Sequence, residues 1–168
     1  MKRFPIVALL AAFPLAQAWA ANLPAACGST DFRFEVKQDK TKHELVQPEP
    51  GKALVYFFQD TGPSVIGIDG AWVGANEGHS YFSVAVDPGE HHLCAKVIVH
   101  DNPLELAHFT AESGSVYFFR GRVVVSEVGN YLFFGPADGD EARHLVHDYS
   151  LSLFKVHVDS LSQYKTGN

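Results

Sequence analysis

The sequence predicts a mainly β protein, a β-sandwich with one short helix near its C-terminus. Short segments in which apolar and polar residues alternate recur along the chain, and turn-forming pairs such as Asp69-Gly70 separate them. The 13 phenylalanines and 6 tyrosines supply the large side chains that a two-sheet core needs. Charged residues make up 19% of the chain, which argues against disorder.

The predicted strands follow one another with short turns between them. The segments with a strand pattern are 32–36, 53–58, 65–68, 71–73, 81–86, 91–99, 106–111, 116–125 and 131–134. Segment 53–58 is apolar on both faces, which predicts a central strand covered on two sides. Asp69-Gly70 accommodates the positive φ angles of a type I′ turn, and Pro88-Gly89 suits the next reversal. The tail 151–158 is a candidate last strand.

One segment has the pattern of a helix. Asp138 followed three residues later by Glu141 resembles the start of a capping box. The apolar residues that follow at helical spacing are Ala142, Leu145, Val146 and Tyr149. We therefore expect one helix within a sandwich domain at 51–168, preceded by an N-terminal strand and linker at 21–50.

The first 20 residues have the pattern of a signal peptide. Lys2 and Arg3 precede the apolar stretch 6–15, and Ala18-Trp19-Ala20 is the small-x-small pattern that a signal peptidase recognises. We expect cleavage after Ala20 and export to the periplasm or the exterior. A lipoprotein signal ending at Cys27 is the alternative, but Asn22 and Pro24 interrupt the aliphatic approach that such a signal requires.

The mature chain is acidic. Removing the 20-residue leader leaves 148 of 168 residues, and taking Lys2 and Arg3 from the 13 cations leaves 11 against 19 acids, a formal charge of −8. This balance argues against nucleic acid as a partner, because phosphates require a basic surface. No second apolar segment is long enough for a transmembrane helix. We expect a mature chain without a transmembrane segment.

Export also bears on the two cysteines, Cys27 and Cys94, which form the single pair available. A disulfide persists in an oxidising compartment. Closing a loop of this size stabilises a fold by about 4 kcal/mol in the chain-entropy model. The sequence thus predicts a bridge, with two unpaired thiols as the alternative.

Two groups of motifs resemble known families. Ile68–Gly74, followed by Val86–His91, resembles the hairpin and turn of PEGA-type surface domains. The wider run resembles an uncharacterised family of exported bacterial proteins, a domain of unknown function, on three further stretches: Gly51–Tyr56, Ala111–Arg120 and Asp140–Ala142. The resemblance covers residues 51–152 and leaves the chain before residue 51 outside.

The resemblance implies a PEGA-like or prealbumin-like β-sandwich in the cell envelope. The matching motifs are turns and core strands, and they carry over no catalytic residue. Gly78-His79-Ser80 lacks the second glycine of a nucleophile elbow, and it leads into a strand rather than a helix. We expect no cofactor and no enzymatic activity.

The 9 histidines are the main alternative source of function. His144 and His147 lie three residues apart on the predicted helix and could share a metal ion with Asp148 or Glu141. The pattern is weak, since zinc needs three or four convergent ligands. A site pooled by folding could also draw on His79, His100 or His108. A periplasmic metal-binding protein is therefore the second hypothesis, and a hydrolase is a third.

Three aromatic runs give the strongest functional indication. They are 56–58, 117–119 and 131–134, and consecutive strand residues point to opposite faces, so both faces carry large apolar groups. An apolar face left uncovered would mark an interaction surface. We therefore predict an exported, non-enzymatic envelope module that binds another protein or an envelope component. The predicted surface residues are Tyr117, Phe119, Tyr131 and Phe133.

Overall fold

A computed structural model describes residues 24–28, 32–98, 104–127 and 129–158. The leader predicted at 1–20, its cleavage site and His100 lie outside these residues. Ten strands and one helix occupy the described part of the chain. They are β1 (Phe32–Asp39), β2 (Ala53–Gln59), β3 (Ser64–Ile68), β4 (Ala71–Asn76), β5 (Ser80–Val86), β6 (Gly89–Val97), β7 (Leu104–Ala111), β8 (Val116–Ser126), β9 (Gly129–Pro136), α1 (Gly139–Asp148) and β10 (Ser150–Val158).

The strands form two sheets. The larger has the order β1-β10-β5-β2-β8-β9, and the smaller has the order β4-β3-β6-β7. Most neighbours are antiparallel, while β2 pairs with β8 and β10 with β5 in parallel. The predicted all-β, sandwich-like fold with one C-terminal helix is confirmed.

The core is built around β2, whose seven residues are all buried. Val55 and Phe57 point between the sheets, where Phe57 lies 5.3 Å from the Phe82 ring, measured between centroids. Tyr56 and Phe58 point to the opposite face and pack in a second cluster beneath α1. The two-sided burial predicted for this strand is thus present.

The predicted turn and cap have the expected geometry. Asp69 and Gly70 have φ angles of 50° and 89°, as a type I′ hairpin between β3 and β4 requires. Asp138 caps α1, and its carboxylate accepts hydrogen bonds from the backbone N–H groups of Asp140 and Glu141. Both features depend on residues that are close together in the sequence, so both could be predicted from the sequence alone.

The N-terminal segment belongs to the sandwich, so the predicted boundary at residue 51 does not separate it from the domain. Strand β1 pairs with β10 along eight residue positions. Cys27 and Cys94 form a disulfide with a Cα–Cα distance of 5.1 Å, which ties the segment to β6. The pairing of β1 with β10 spans more than a hundred residues, and local sequence patterns carry no information about it.

Gly74 in β4 provides a test of the core packing. A Cβ atom on Gly74 would lie 2.2 Å from ring atoms of the buried Phe82. We expect Gly74→Ala to lower the free energy of unfolding by about 1–3 kcal/mol, since an overpacked ring must move. Gly135→Ala is the matched control, because no described heavy atom lies within 4 Å of its Cβ position.

Denaturant unfolding with the disulfide intact measures both variants. The control should stay within about 0.5 kcal/mol of the parent. Equal stabilities for Gly74→Ala and the parent would contradict the packing of Phe82 described above.

Candidate functional site

Strands β7, β8 and β9 come together at one margin of the sandwich. Strand β9 pairs with β8 only as far as the register of Phe119 with Pro136. Proline has no backbone N–H and cannot continue the ladder. The last bond is donated by the N–H of Ala137 to the carbonyl of Phe118, at 2.9 Å. The first residues of β8 therefore lie beyond the end of β9.

A cleft of about 550 Å³ lies at this margin, and we call it the aromatic cleft. It is lined by Ala107, His108, Phe109, Val116, Tyr117, Phe118, Phe119, Phe134, Gly135, Pro136, Ala137 and Gly139. Phe109 lies 5.0 Å from Tyr117, and Phe134 lies 5.6 Å from Phe119, measured between ring centroids. The cleft falls within the size range of ligand-binding pockets, and its walls are mainly apolar.

Two of the predicted surface residues belong to this cleft rather than to an exposed face. Phe119 is only 5% exposed and stacks against Phe57 and Phe134 in the core, so its prediction as a surface residue is wrong. Tyr117 is half-buried on the same inner face, and its hydroxyl accepts a hydrogen bond from the Glu112 N–H at 2.9 Å. The alternating pattern groups the two residues correctly but does not say which face is inside.

The other two predicted residues lie on the outer face of the β8–β9 hairpin. Phe133 is 60% exposed, Tyr131 is 43% exposed and Val124 is 45% exposed. Val124 stands opposite Tyr131 in the strand register, and Arg122 stands opposite Phe133. We call Val124, Tyr131 and Phe133 the outer patch. Val124 is not among the four predicted surface residues, because its place opposite Tyr131 depends on where the chain turns between β8 and β9.

An ionic network separates the outer patch from α1. Arg120 donates from Nε and Nη2 to the two oxygens of Asp60, at 2.7 and 2.8 Å, and also pairs with Glu141. The Tyr149 hydroxyl donates to Asp60 at 3.0 Å, and Arg122 reaches Glu141 at 3.2 Å. The hydrogen bonds to Asp60 raise the pKa of Arg120. This network anchors the helix over β2 and β8, and it leaves the hairpin uncovered.

The histidines that the structure describes do not converge on a metal site. His144 and His147 lie on the exposed side of α1, 3.2 and 3.1 Å from the Asp148 carboxylate. The hydrogen bond from His147 lowers the pKa of Asp148. His79 lies in a turn and packs against Tyr149. His108 lies elsewhere, at the rim of the aromatic cleft. Within the described ranges, no three His, Cys, Asp or Glu side chains are arranged to hold a metal ion.

The serine of the Gly78-His79-Ser80 motif is a structural residue. Ser80 is fully buried, and its hydroxyl donates to the Glu77 carbonyl at 2.8 Å and accepts from the Glu77 N–H at 3.0 Å. His79 has a φ of 54°, which is typical of a turn. The motif closes the connection between β4 and β5.

A histidine bridge joins two turns of the motifs that resemble PEGA-type domains. His91 Nδ1 lies 2.6 Å from the Asp69 carboxylate, and Nε2 lies 2.7 Å from the Asp87 carbonyl oxygen. Both partners are acceptors, so both ring nitrogens are satisfied only when His91 is protonated. Partial burial lowers the pKa of His91, but the bonds to Asp87 and Asp69 raise it by more, so the net pKa is raised.

No family model, curated protein or solved structure matches the chain. Among the described residues, no helix combines the length and the apolar character needed to cross a membrane. The resemblance to PEGA-type domains therefore stays a prediction from the motifs.

The histidine bridge predicts a specific pH dependence of stability. A pKa raised by folding means that the contribution of His91 is complete below its ordinary pKa of about 6.5 and is lost as the pH rises through the raised value. We expect the stability difference between the parent and His91→Gln to shrink between about pH 5 and pH 9. A difference that stayed constant or grew would contradict the bridge.

Substitution of Asp69, which pairs with His91, provides the control for this prediction. Asp69→Asn keeps a residue that tolerates positive φ but removes the negative charge. NMR titration of the His91 ring should give a lower pKa in Asp69→Asn than in the parent. An unchanged pKa would show that the carboxylate does not act on the imidazole.

Proposed function

We propose that the protein is an exported, non-enzymatic module of the cell envelope that binds another envelope protein through the outer patch. The observation that carries this proposal is the exposure of Phe133, Tyr131 and Val124 on adjoining strands. Water is an unfavourable environment for such a group of large apolar side chains, and exposed patches of this kind mark interaction sites.

The composition of the outer patch and its border supports a protein partner. Tyrosine, phenylalanine and arginine are enriched in protein interfaces, and the patch combines two aromatic residues with the adjacent Arg122. The Arg122 side chain is 55% exposed, and it is held in place by Glu141 and Asp60. An ordered arginine beside aromatic residues loses little conformational freedom on binding.

The disulfide supports export to an oxidising compartment. A bridge between Cys27 and Cys94 persists in the periplasm or the exterior, where thiols are oxidised. A Cys27 sulfur in that bridge cannot also carry the lipid thioether of a lipoprotein, so the lipoprotein alternative loses support. The metal-binding alternative has no convergent ligand set in the described part of the chain to support it.

The outer patch can be tested by cross-linking the natively exported protein in cells and identifying the adduct by mass spectrometry. We expect one reproducible, stoichiometric adduct with the parent chain. The double variant Tyr131→Ser, Phe133→Ser should reduce that adduct about tenfold or more, as loss of aromatic anchors does at interfaces. Leu153→Ser is the matched control, because Leu153 is 52% exposed on β10, away from the patch.

The control separates a specific surface from general stickiness. Leu153→Ser should leave the adduct at the parental level, and both variants should show the parental unfolding midpoint. An adduct that survived the double variant, or a protein recovered as a free monomer, would contradict the proposal.

A further inference from the structure

At the aromatic cleft the smaller sheet ends with the edge strand β7, and the larger sheet ends with β8 and β9. The smaller sheet ends at β7, which pairs only with β6 among the described strands. The larger sheet has six strands against four and continues through β8 and β9 at the same margin. Part of β9 lies close to β7 at this margin without pairing to it, so the outer backbone edge of β7 has no hydrogen-bonded strand among those described.

The aromatic cleft is the space that the side chains of such a strand would enter. Phe109, Tyr117 and Phe134 remain half-buried although their rings contact the core. Ala107 and Phe109 of β7 face the larger sheet, and Ala107 is small enough to leave room beside it. In a strand added next to β7, alternate side chains would point between the sheets and cover these rings.

The charges in and beside the aromatic cleft restrict which peptide segments could bind along β7. Within the described lining of the cleft there is no aspartate, glutamate, lysine or arginine, so the side chains that enter it must be uncharged. Glu105 stands at the next inward-facing position of β7, two residues before Ala107, and is half-buried. The chain carries a formal net charge of −6, so a basic residue opposite Glu105 is favoured.

We propose that the free edge of β7 binds an extended segment of a partner protein, added as an antiparallel strand. The segment has the pattern apolar-x-apolar-x-basic, with its apolar side chains opposite Phe109 and Ala107 in the aromatic cleft and its basic side chain opposite Glu105. Antiparallel addition continues the arrangement of the smaller sheet, in which each described pair of neighbours is antiparallel. This site shares no residue with the outer patch, so either site can fail without the other.

The probe is the end-blocked peptide acetyl-Thr-Phe-Thr-Val-Thr-Lys-Thr-amide, titrated into the disulfide-intact mature protein and followed by NMR. We expect saturable shifts confined to β7 and the cleft, with a dissociation constant of about 1 mM or below. A second peptide with serine in place of phenylalanine and valine should bind at least about tenfold more weakly, because it leaves the cleft unfilled. A third peptide, N-methylated on the edge facing β7, should not bind.

Variants of the protein locate the site. Ala107→Leu fills the cleft and should weaken the peptide at least about tenfold, since the added side chain clashes with the bound apolar group. Thr110→Leu is the matched control. It adds a similar side chain to an exposed position of β7 outside the described cleft lining, and it should change the affinity less than about twofold.

Three results would overturn the proposal. The first is the absence of shifts in β7 at saturating peptide. The second is equal binding of the N-methylated peptide, which would exclude strand pairing. The third is binding of the neutral dye N-phenyl-1-naphthylamine, sensitive to Ala107→Leu, without binding of the peptide, which would make the cleft a small-molecule site.

Discussion

The burial of β2 on both faces is the constraint on which the rest of the structure depends. Val55 and Phe57 require the smaller sheet on one side, and Tyr56 and Phe58 require a cover on the other. A strand with large apolar side chains on both faces is stable only between two layers. Helix α1 provides the second layer, which explains why a sandwich of this size has a helix immediately before its last strand.

The position of the helix determines which apolar surface stays exposed. Arg120 joins the helix residue Glu141 to Asp60 at the end of β2, so α1 is held over the centre of the larger sheet. The anchor is a partly buried, bidentate pair, and such pairs fix geometry more than they add stability. The β8–β9 hairpin reaches beyond the helix, and its outward-facing residues Tyr131 and Phe133 have no described cover. The proposed binding surface is exposed because the helix is too short to cover the whole outer face of the larger sheet.

Local chemistry made much of the fold predictable from sequence. The Asp69-Gly70 turn, the Asp138 cap and the alternation of the strands each depend on residues close in sequence, and each appears in the structure. The sequence did not show which face of each strand is buried. The alternating pattern places Tyr117 and Phe119 on the same face of β8, but it does not decide whether that face points into the core. Contacts between segments that are distant in the sequence could not be predicted either. Examples are the pairing of β1 with β10 and the ion pair of Arg120 with Asp60. Of the four residues predicted for the binding surface, Tyr131 and Phe133 lie in the exposed outer patch, whereas Tyr117 and Phe119 lie in the aromatic cleft.

Hydroxyl-radical footprinting tests most directly whether the outer patch is a binding surface. The same oxidation is applied to the purified protein and to intact cells that export it, and modification is counted residue by residue by mass spectrometry. We expect Tyr131 and Phe133 to be oxidised readily in the purified protein and protected in cells, while Leu153 is oxidised equally in both. Equal oxidation of Tyr131 and Phe133 in the two preparations would contradict a binding role for the patch.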